Sequence, residues 1–209
     1  MNPLQIIRKE LENLNLQILN NPILKLVEEG KLKRDVINYF VINQWYIVNH
    51  DLRSLALGLS KSRSIDELSI FKELIDGDYH ALGELMKLMK ELNIDIKDPL
   101  TYNISPKAVN YTHYLSWLAN YAEPKEFLFA TVVNLPVWGT VVTRFGEGLR
   151  RNYGINELGF FDTFKGSYDE LENKVISLLE VKDMNRLKTI AYMIQYYEKE
   201  FWESLLEFR

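Results

Sequence analysis

Cysteine is absent from the 209 residues of this sequence. The chain therefore has no disulfide framework, no cysteine-ligated zinc or iron–sulfur site and no thiol nucleophile. Glycine and proline are also few, at 10 and 6 residues, and no Ser/Pro-rich stretch marks a linker. We expect a single domain over residues 1–209, without an internal boundary.

Positive charge is not in excess, since 25 Lys and Arg residues stand against 29 Asp and Glu residues. We expect no direct nucleic acid binding, because a protein that neutralises many phosphates carries a basic surface. Charges at residues 8–10 interrupt the stretch where a signal peptide would be apolar. The longest apolar run, residues 127–142, is broken by Asn134 and Pro136 and is shorter than the roughly 20 residues that span a bilayer. We predict a cytoplasmic protein without membrane contact.

Helix signals are abundant and predict an all-α fold. Apolar residues recur at intervals of three and four, and no comparable alternation typical of strands appears. Ser64 with Glu67 and Ser167 with Glu170 have the spacing of capping boxes. Four prolines stand where a helix would begin, namely Pro3, Pro22, Pro106 and Pro124. The predicted helices cover residues 3–19, 22–29, 34–60, 64–76, 78–93, 106–122, 124–150, 167–180 and 184–207.

Polar side chains interrupt the two most apolar helices. Asn43 and Gln44 lie in the first, and Asn134 lies in the second. A buried polar group without a hydrogen bond costs roughly 1 to 3 kcal/mol, so these positions need partners. With aromatic residues of the 106–122 helix and with Glu198 on the last helix, they predict a ligand pocket between helices. The alternative is that these aromatic residues are core side chains with satisfied polar tips.

Metal and cofactor signals are weak. The sequence has three histidines, and they form no His-x-x-x-His pair, so we expect no metal site. Neither a glycine-rich phosphate loop nor a nucleotide fingerprint is present, and we expect no cofactor.

Several segments resemble the TenA family. The run from Asn21-Pro22 through Gly30-Lys31-Leu32 to Asn43-Gln44-Trp45-Tyr46 resembles its His-Pro, Gly-x-Leu and Gln-Asp-Tyr-Tyr signature. Residues 135–141 are similar to its Pro-Cys-x-x-x-Tyr segment, and residues 198–202 are similar to its closing Glu-x-x-Phe-Trp. Tyr111 stands where the family has a pocket tyrosine. The resemblance covers nearly the whole chain.

This resemblance implies a heme-oxygenase-like helical bundle, usually a homo-oligomer, that binds an aminopyrimidine and hydrolyses thiamin or its breakdown products. The family's nucleophilic cysteine falls on Val137, which cannot form a covalent intermediate. Its pyrimidine-binding aspartate falls on Gln44. The resemblance leaves Glu198 as the catalytic acid–base group, without a metal or cofactor. The substrate-binding residues it suggests are Gln44, Asn43, Tyr46, Tyr111, Trp138 and Val137.

Three functions follow from these expectations. The first is a divergent TenA-like protein, a dimer or tetramer, that binds a thiamin-related aminopyrimidine and hydrolyses it without cysteine. The second is a noncatalytic helical protein that acts through assembly and whose pocket is filled by Trp45, Val137, Trp138 and Val141. The third is a pyrroloquinoline-quinone synthase-like oxidase, whose Asn-Arg-Phe-Tyr-Tyr resembles residues 43–47 but whose pocket is rich in Arg and His.

Overall fold

A computed structural model describes residues 1–95, 98, 104–179 and 184–208. No strand occurs within these ranges, which confirms the predicted all-α fold class. The helices are α1 (Pro3–Glu10), α2 (Glu12–Leu19), α3 (Pro22–Glu28), α4 (Arg34–Lys61), α5 (Ile65–Glu91), α6 (Pro106–Tyr121), α7 (Pro124–Asn152), α8 (Gly159–Asp162), α9 (Asp169–Ile176) and α10 (Met184–Glu207).

Prolines begin four of these helices as predicted, because the missing N–H of proline is not needed in a first turn. The helix predicted over residues 3–19 is instead two helices, since the chain leaves helical geometry at Leu11, with ψ at 4°. The two helices predicted over residues 64–76 and 78–93 are the single helix α5, which covers Ile65–Glu91. Gly77 is tolerated inside it, because one helical glycine costs only about 1 kcal/mol.

The two predicted capping boxes differ in outcome. The Ser64 side chain accepts a hydrogen bond from the Glu67 amide, but the Glu67 carboxylate accepts from the Arg63 amide and not from Ser64. The second prediction is wrong, since α9 begins at Asp169 and the Ser167 hydroxyl accepts from the Asp169 amide. The predicted end of this helix at residue 180 lies outside the described residues. The short helix α8 was not predicted.

Helix α7 continues through Pro136, which cannot donate to the carbonyl of Val132. Arg8 of α1 replaces the missing donor, with its Nη2 atom 3.0 Å from that carbonyl oxygen. The same guanidinium pairs with Glu172 of α9. An interior proline is therefore accommodated by a side chain from a distant helix.

The buried side chains form two neighbouring clusters. One contains stacked aromatic rings around Phe40 and Trp202, and the other contains Phe71 and Phe127. Tyr111 packs against both clusters. α7 is long and apolar enough to cross a membrane by composition, but 72% of its apolar stretch is buried inside the fold. The apolar run at residues 127–142 therefore lies mostly in the interior of the fold.

Candidate functional site

A cavity of about 70 Å³ lies between the two clusters. Side chains from α4, α5, α6, α7 and α10 line it, and most of them are apolar. Its polar lining residues are Gln44, Asp51, Asp78, Tyr111, Thr131, Asn134 and Glu198. The cavity therefore presents several hydrogen-bonding groups to an otherwise apolar interior, as small-molecule sites do.

Glu198 reaches the cavity because of its position on α10. Buried residues of this helix recur at intervals of three and four, and Glu198 lies within that stripe between Ile194 and Trp202. Only 2% of Glu198 is exposed. Its carboxylate accepts from Trp202 Nε1 at 2.6 Å and from Asn134 Nδ2 at 3.3 Å. Burial raises the pKa of Glu198 to about 7 against the lowering effect of these two hydrogen bonds.

Asn134 connects Glu198 with the other polar groups at this end of the cavity. Its amide nitrogen also donates to Gln195 Oε1 at 3.0 Å, and its oxygen accepts from the Tyr111 hydroxyl at 3.1 Å. Gln195 in turn donates to Asn15 of α2 at 2.6 Å. We call Asn15, Tyr111, Asn134, Gln195, Glu198 and Trp202 the Glu198 network. Every polar side chain in this network has a hydrogen-bond partner within the protein.

Burial raises the pKa of Tyr111 well above its usual range, and the nearby carboxyl groups of Asp51, Glu198 and Asp78 raise it further. Tyr111 is therefore a neutral hydroxyl group under ordinary conditions. Since it donates to Asn134, it fixes the orientation of the amide that contacts Glu198.

Two aspartates that the sequence analysis did not single out also line the cavity. Asp51 of α4 is 8% exposed and accepts a hydrogen bond from the Thr112 hydroxyl. Asp78 of α5 is half-buried. Burial raises the pKa of Asp51 well above its usual range, repulsion by Asp78 adds to this effect, and burial raises the pKa of Asp78 to about 7. We call these two residues the acid pair.

The acid pair had a detectable signal in the sequence. Asp51 continues the buried stripe of Val41, Gln44 and Val48 at intervals of three and four residues, and Asp78 follows Leu74 at an interval of four. A charged residue in register with an apolar stripe faces the interior of a helical fold. This periodicity could have identified both residues.

Four of the predicted site residues line the cavity together, namely Gln44, Tyr111, Trp138 and Glu198. Three others lie outside it. Asn43 donates to the Tyr39 carbonyl oxygen and accepts from the Ser105 amide, which holds the start of α6 against α4. Tyr46 pairs its hydroxyl with His113 and stacks on His50. Val137 is half-buried and packs against the aromatic cluster.

One wall of the cavity is formed by Trp138 and Phe164, whose rings meet edge to face with centroids 5.7 Å apart. Phe164 comes from the segment after α8. Gly139 permits this contact, because a Cβ atom there would lie 2.8 Å from the Phe164 carbonyl oxygen. The absence of a side chain at one position of α7 thus lets a distant segment close the cavity.

The described residues contain no group of three or more His, Asp or Glu side chains arranged to hold a metal ion. Within the same residues, the cavity is lined by no Lys, Arg or His. The site chemistry is therefore carboxyl, amide and phenol chemistry.

Comparison with known proteins gives a consistent result. Residues 8–207 match the TENA/THI-4/PQQC family. A TenA homologue from Pyrococcus furiosus has 22% identity and a TM-score of 0.80, over 96% of this chain and 98% of that one. A domain of unknown function from Shewanella denitrificans with a heme oxygenase-like fold has 12% identity and a TM-score of 0.79, over 98% of this chain and 92% of that one.

A further structure, from Sulfolobus solfataricus P2, is described as a candidate TenA-like thiaminase. It has 17% identity and a TM-score of 0.67, over 97% of this chain and 96% of that one. No curated protein matches this sequence significantly. The structural similarities identify the heme-oxygenase-like fold, and so confirm the architecture that the sequence resemblance implied.

Proposed function

This chain belongs to the TENA/THI-4/PQQC family, and from that membership we propose that it binds a small thiamin-related aminopyrimidine in the cavity beside Glu198. We further propose that it hydrolyses this ligand without a cysteine nucleophile. Glu198 is the acid–base group, and Gln44, Tyr111 and Trp138 contact the ligand. Asn43, Tyr46 and Val137 then act from outside the cavity, through the packing of α4, α6 and α7.

The burial of Glu198 beside the cavity is the observation that carries this proposal. A carboxyl group with a pKa of about 7 is present in both protonation states near neutral pH. In a hydrolysis, the ionised form takes a proton from the attacking water as the C–O bond forms. The protonated form then returns that proton to the leaving nitrogen as the C–N bond breaks. Both steps need one group with a pKa near the working pH.

The cavity also bears on the two alternative functions. A completely filled pocket would leave no space beside Gln44, Tyr111 and Glu198, whereas these side chains share a small cavity of about 70 Å³. A quinone synthase-like oxidase would have Arg and His around its anionic precursor, whereas the described lining has carboxyl groups. Both observations favour the binding of an aminopyrimidine.

The first test is a thermal-shift screen with aminopyrimidines and thiamin fragments. We expect a stabilising hit with the wild-type protein that Glu198→Ala and Gln44→Ala weaken. Glu200→Gln is the matched control, because Glu200 lies on the same helix and bonds to Asn110 outside the cavity. A hit that both cavity variants retain unchanged would contradict the residue assignment.

The second test measures hydrolysis directly. With the ligand from the screen, we expect Glu198→Gln to lower kcat by about 10²- to 10⁴-fold, the usual contribution of a general acid–base group. Glutamine keeps the shape and the hydrogen bond from Trp202 but cannot transfer a proton. Full activity in Glu198→Gln would remove Glu198 from the reaction.

We also propose that residues 1–209 fold as one domain, that the protein assembles as a homodimer or homotetramer, and that it works in the cytoplasm without nucleic acid or membrane partners. Light scattering after size-exclusion chromatography measures the subunit number. A monomer at all concentrations would contradict the proposed assembly.

A further inference from the structure

The acid pair is not used by the proposed reaction, although it lines the same cavity. From the described part of the chain, the Asp51 carboxyl group accepts one hydrogen bond, from Thr112. Among the described residues, none donates a hydrogen bond to the Asp78 carboxyl group or forms an ion pair with it. The pair is brought together by α4 and α5, whereas Glu198 comes from α10. The cavity thus has a second acidic centre with unused hydrogen-bonding capacity.

Gln44 supplies an independent observation. Its side chain lines the cavity and the residue is only 3% exposed. No described residue forms a hydrogen bond with its amide. A buried primary amide normally has partners, so an unpaired one that faces a cavity indicates a partner from outside the protein. Gln44 and Asp51 lie seven residues apart, two turns along the same face of α4.

The charge of the lining indicates the sign of that partner. The cavity has three carboxyl groups, from Asp51, Asp78 and Glu198, and among the residues described around it there is no basic side chain. Carboxyl groups taken out of water need a countercharge or a proton. A cationic ligand supplies the countercharge, whereas an anionic ligand would be repelled.

We propose that Asp51 and Asp78 form a cation subsite that binds a protonated nitrogen of the ligand. The subsite selects planar cationic ligands, such as amidines and protonated amino-heteroaromatic rings, over neutral molecules of the same shape. Gln44 contributes a further hydrogen bond, because its amide both donates and accepts. This inference rests on the proposed function, since it assigns the ligand class of the same cavity.

The ionisation of the acid pair agrees with a single positive charge on the ligand. Burial raises the pKa of both carboxyl groups, and repulsion by Asp78 raises that of Asp51 further, so the pair retains a proton near neutral pH. A bound cation favours the ionised form and displaces that proton. Tyr111 and Glu198 are the other titratable groups that line the cavity in its described part.

Benzamidine and benzamide test this subsite without using a thiamin fragment. The two probes have nearly the same shape, but only benzamidine is cationic. By calorimetry on the wild-type protein, we expect benzamidine to bind at least about tenfold more tightly than benzamide. Asp51→Asn and Asp78→Asn should each reduce this ratio to within about twofold. Asparagine preserves the shape and removes the charge.

Two control variants define the location of the effect. Asp76→Asn changes an exposed aspartate of α5 that pairs with Lys72, and should leave the ratio unchanged. Glu200→Gln changes a carboxyl group of α10 that bonds to Asn110 outside the cavity and should also keep the preference for benzamidine. Thermal melts of each variant establish that it is folded. Asp78→Asn serves as the second variant should Asp51→Asn not fold, since Asp78 is less buried.

The outcomes separate this inference from the proposed function. Equal binding of the two probes, no binding of either, or an unchanged ratio in both aspartate variants would overturn the cation subsite. A benzamidine preference that depends on the acid pair, with no binding of any aminopyrimidine, would support the subsite and overturn the proposed ligand. Aminopyrimidine binding that is insensitive to both aspartate variants, together with equal probe binding, would support the proposed ligand and overturn the cation subsite.

Discussion

The two polar centres of the cavity differ in how their hydrogen bonds are satisfied. In the Glu198 network, Asn134 joins Tyr111, Gln195 and Glu198, and the protein supplies every partner. At the acid pair, Asp51 accepts one hydrogen bond from the described residues. The nearby amide of Gln44 has no partner among these residues. The first centre therefore contributes to the stability of the fold in addition to its role in the proposed reaction, whereas the second keeps hydrogen-bonding capacity that the protein does not use. Substitutions at the two centres should have different consequences for stability.

The largest expected effect is at Trp202, which is fully buried and donates to Glu198. Trp202→Ala should lower the free energy of unfolding by about 3 to 5 kcal/mol, because it leaves a cavity in the aromatic cluster and removes a donor. Urea denaturation measures the loss. Trp117, which is 46% exposed, is the control, and Trp117→Ala should cost less than about 1 kcal/mol. Equal losses of unfolding free energy in the two variants would show that Trp202 contributes no more to stability than an exposed tryptophan.

The second effect concerns the ionisation of Glu198. Because its pKa is about 7 in the folded protein and about 4.5 in the unfolded chain, the folded state holds the proton more tightly. The stability that this proton contributes is complete when the pH is below the pKa of the unfolded chain. It is lost as the pH rises through the pKa of the folded protein. Glu198→Gln cannot ionise, so its stability relative to wild type should increase by about 3 kcal/mol between about pH 4 and pH 8.

Denaturation of both proteins across this pH range measures the difference. Only its dependence on pH is diagnostic, since the amide introduced by the substitution changes the contact with Asn134 equally at every pH. Parallel stability curves for Glu198→Gln and wild type would show that Glu198 is not titrating from a buried position.

The third effect compares two amide side chains, Asn134 in the Glu198 network and Gln44 beside the acid pair. Asn134→Leu removes the partner of three buried polar groups and should cost about 2 to 3 kcal/mol. Gln44→Leu removes no hydrogen bond to a described residue, and its stability should stay within about 1 kcal/mol of wild type. Ligand binding should nevertheless be weakened by Gln44→Leu. Similar stability losses in the two variants would remove the distinction between the centres.

The smallest effect is a gain in stability at the acid pair. Because burial raises the pKa of Asp78 to about 7, its ionised form is unfavourable in the folded protein. Asp78→Asn should stabilise the protein by about 1 kcal/mol at about pH 8 and by much less at about pH 5. Asp76→Asn breaks an exposed pair with Lys72 and should instead cost no more than about 0.5 kcal/mol. A loss of stability in Asp78→Asn at the higher pH would show that the ionised Asp78 carboxyl group is not unfavourable in the folded protein.

Prediction from the sequence succeeded where local chemistry decides the outcome. Pro22 and Pro106 mark helix starts because a first turn needs no N–H group from them. Prediction failed where neighbours decide. Gly77 remains helical inside α5, although a break was predicted there. Leu11 ends α1, although the apolar spacing continues past it. Neither outcome is visible in the apolar spacing. Pro136 lies inside α7, in agreement with the predicted helix over residues 124–150. The guanidinium from α1 that bonds to the freed carbonyl group was not visible in the sequence.

The candidate site shows the same division. The stripe on α10 already places Glu198 in the interior, and the stripe on α4 does the same for Gln44 and Asp51. The partners of these residues lie far away in sequence. Asn134 reaches Glu198 from α7, and Asn43 is used instead to hold the start of α6. Burial was thus predictable for each of these residues, but which of them line the cavity depends on the packing of helices that are distant in sequence.

By itself, the sequence determined that the chain is helical, where most of its helices begin and which of their faces are buried, because these properties depend on neighbours within a turn or two. Only the tertiary structure decided which buried polar groups bond to each other and which remain unpaired. Such partners meet through the crossing of helices that are distant in sequence, and a displacement of one turn would exchange them. The difference between the Glu198 network and the acid pair therefore belongs to the packing of the helices.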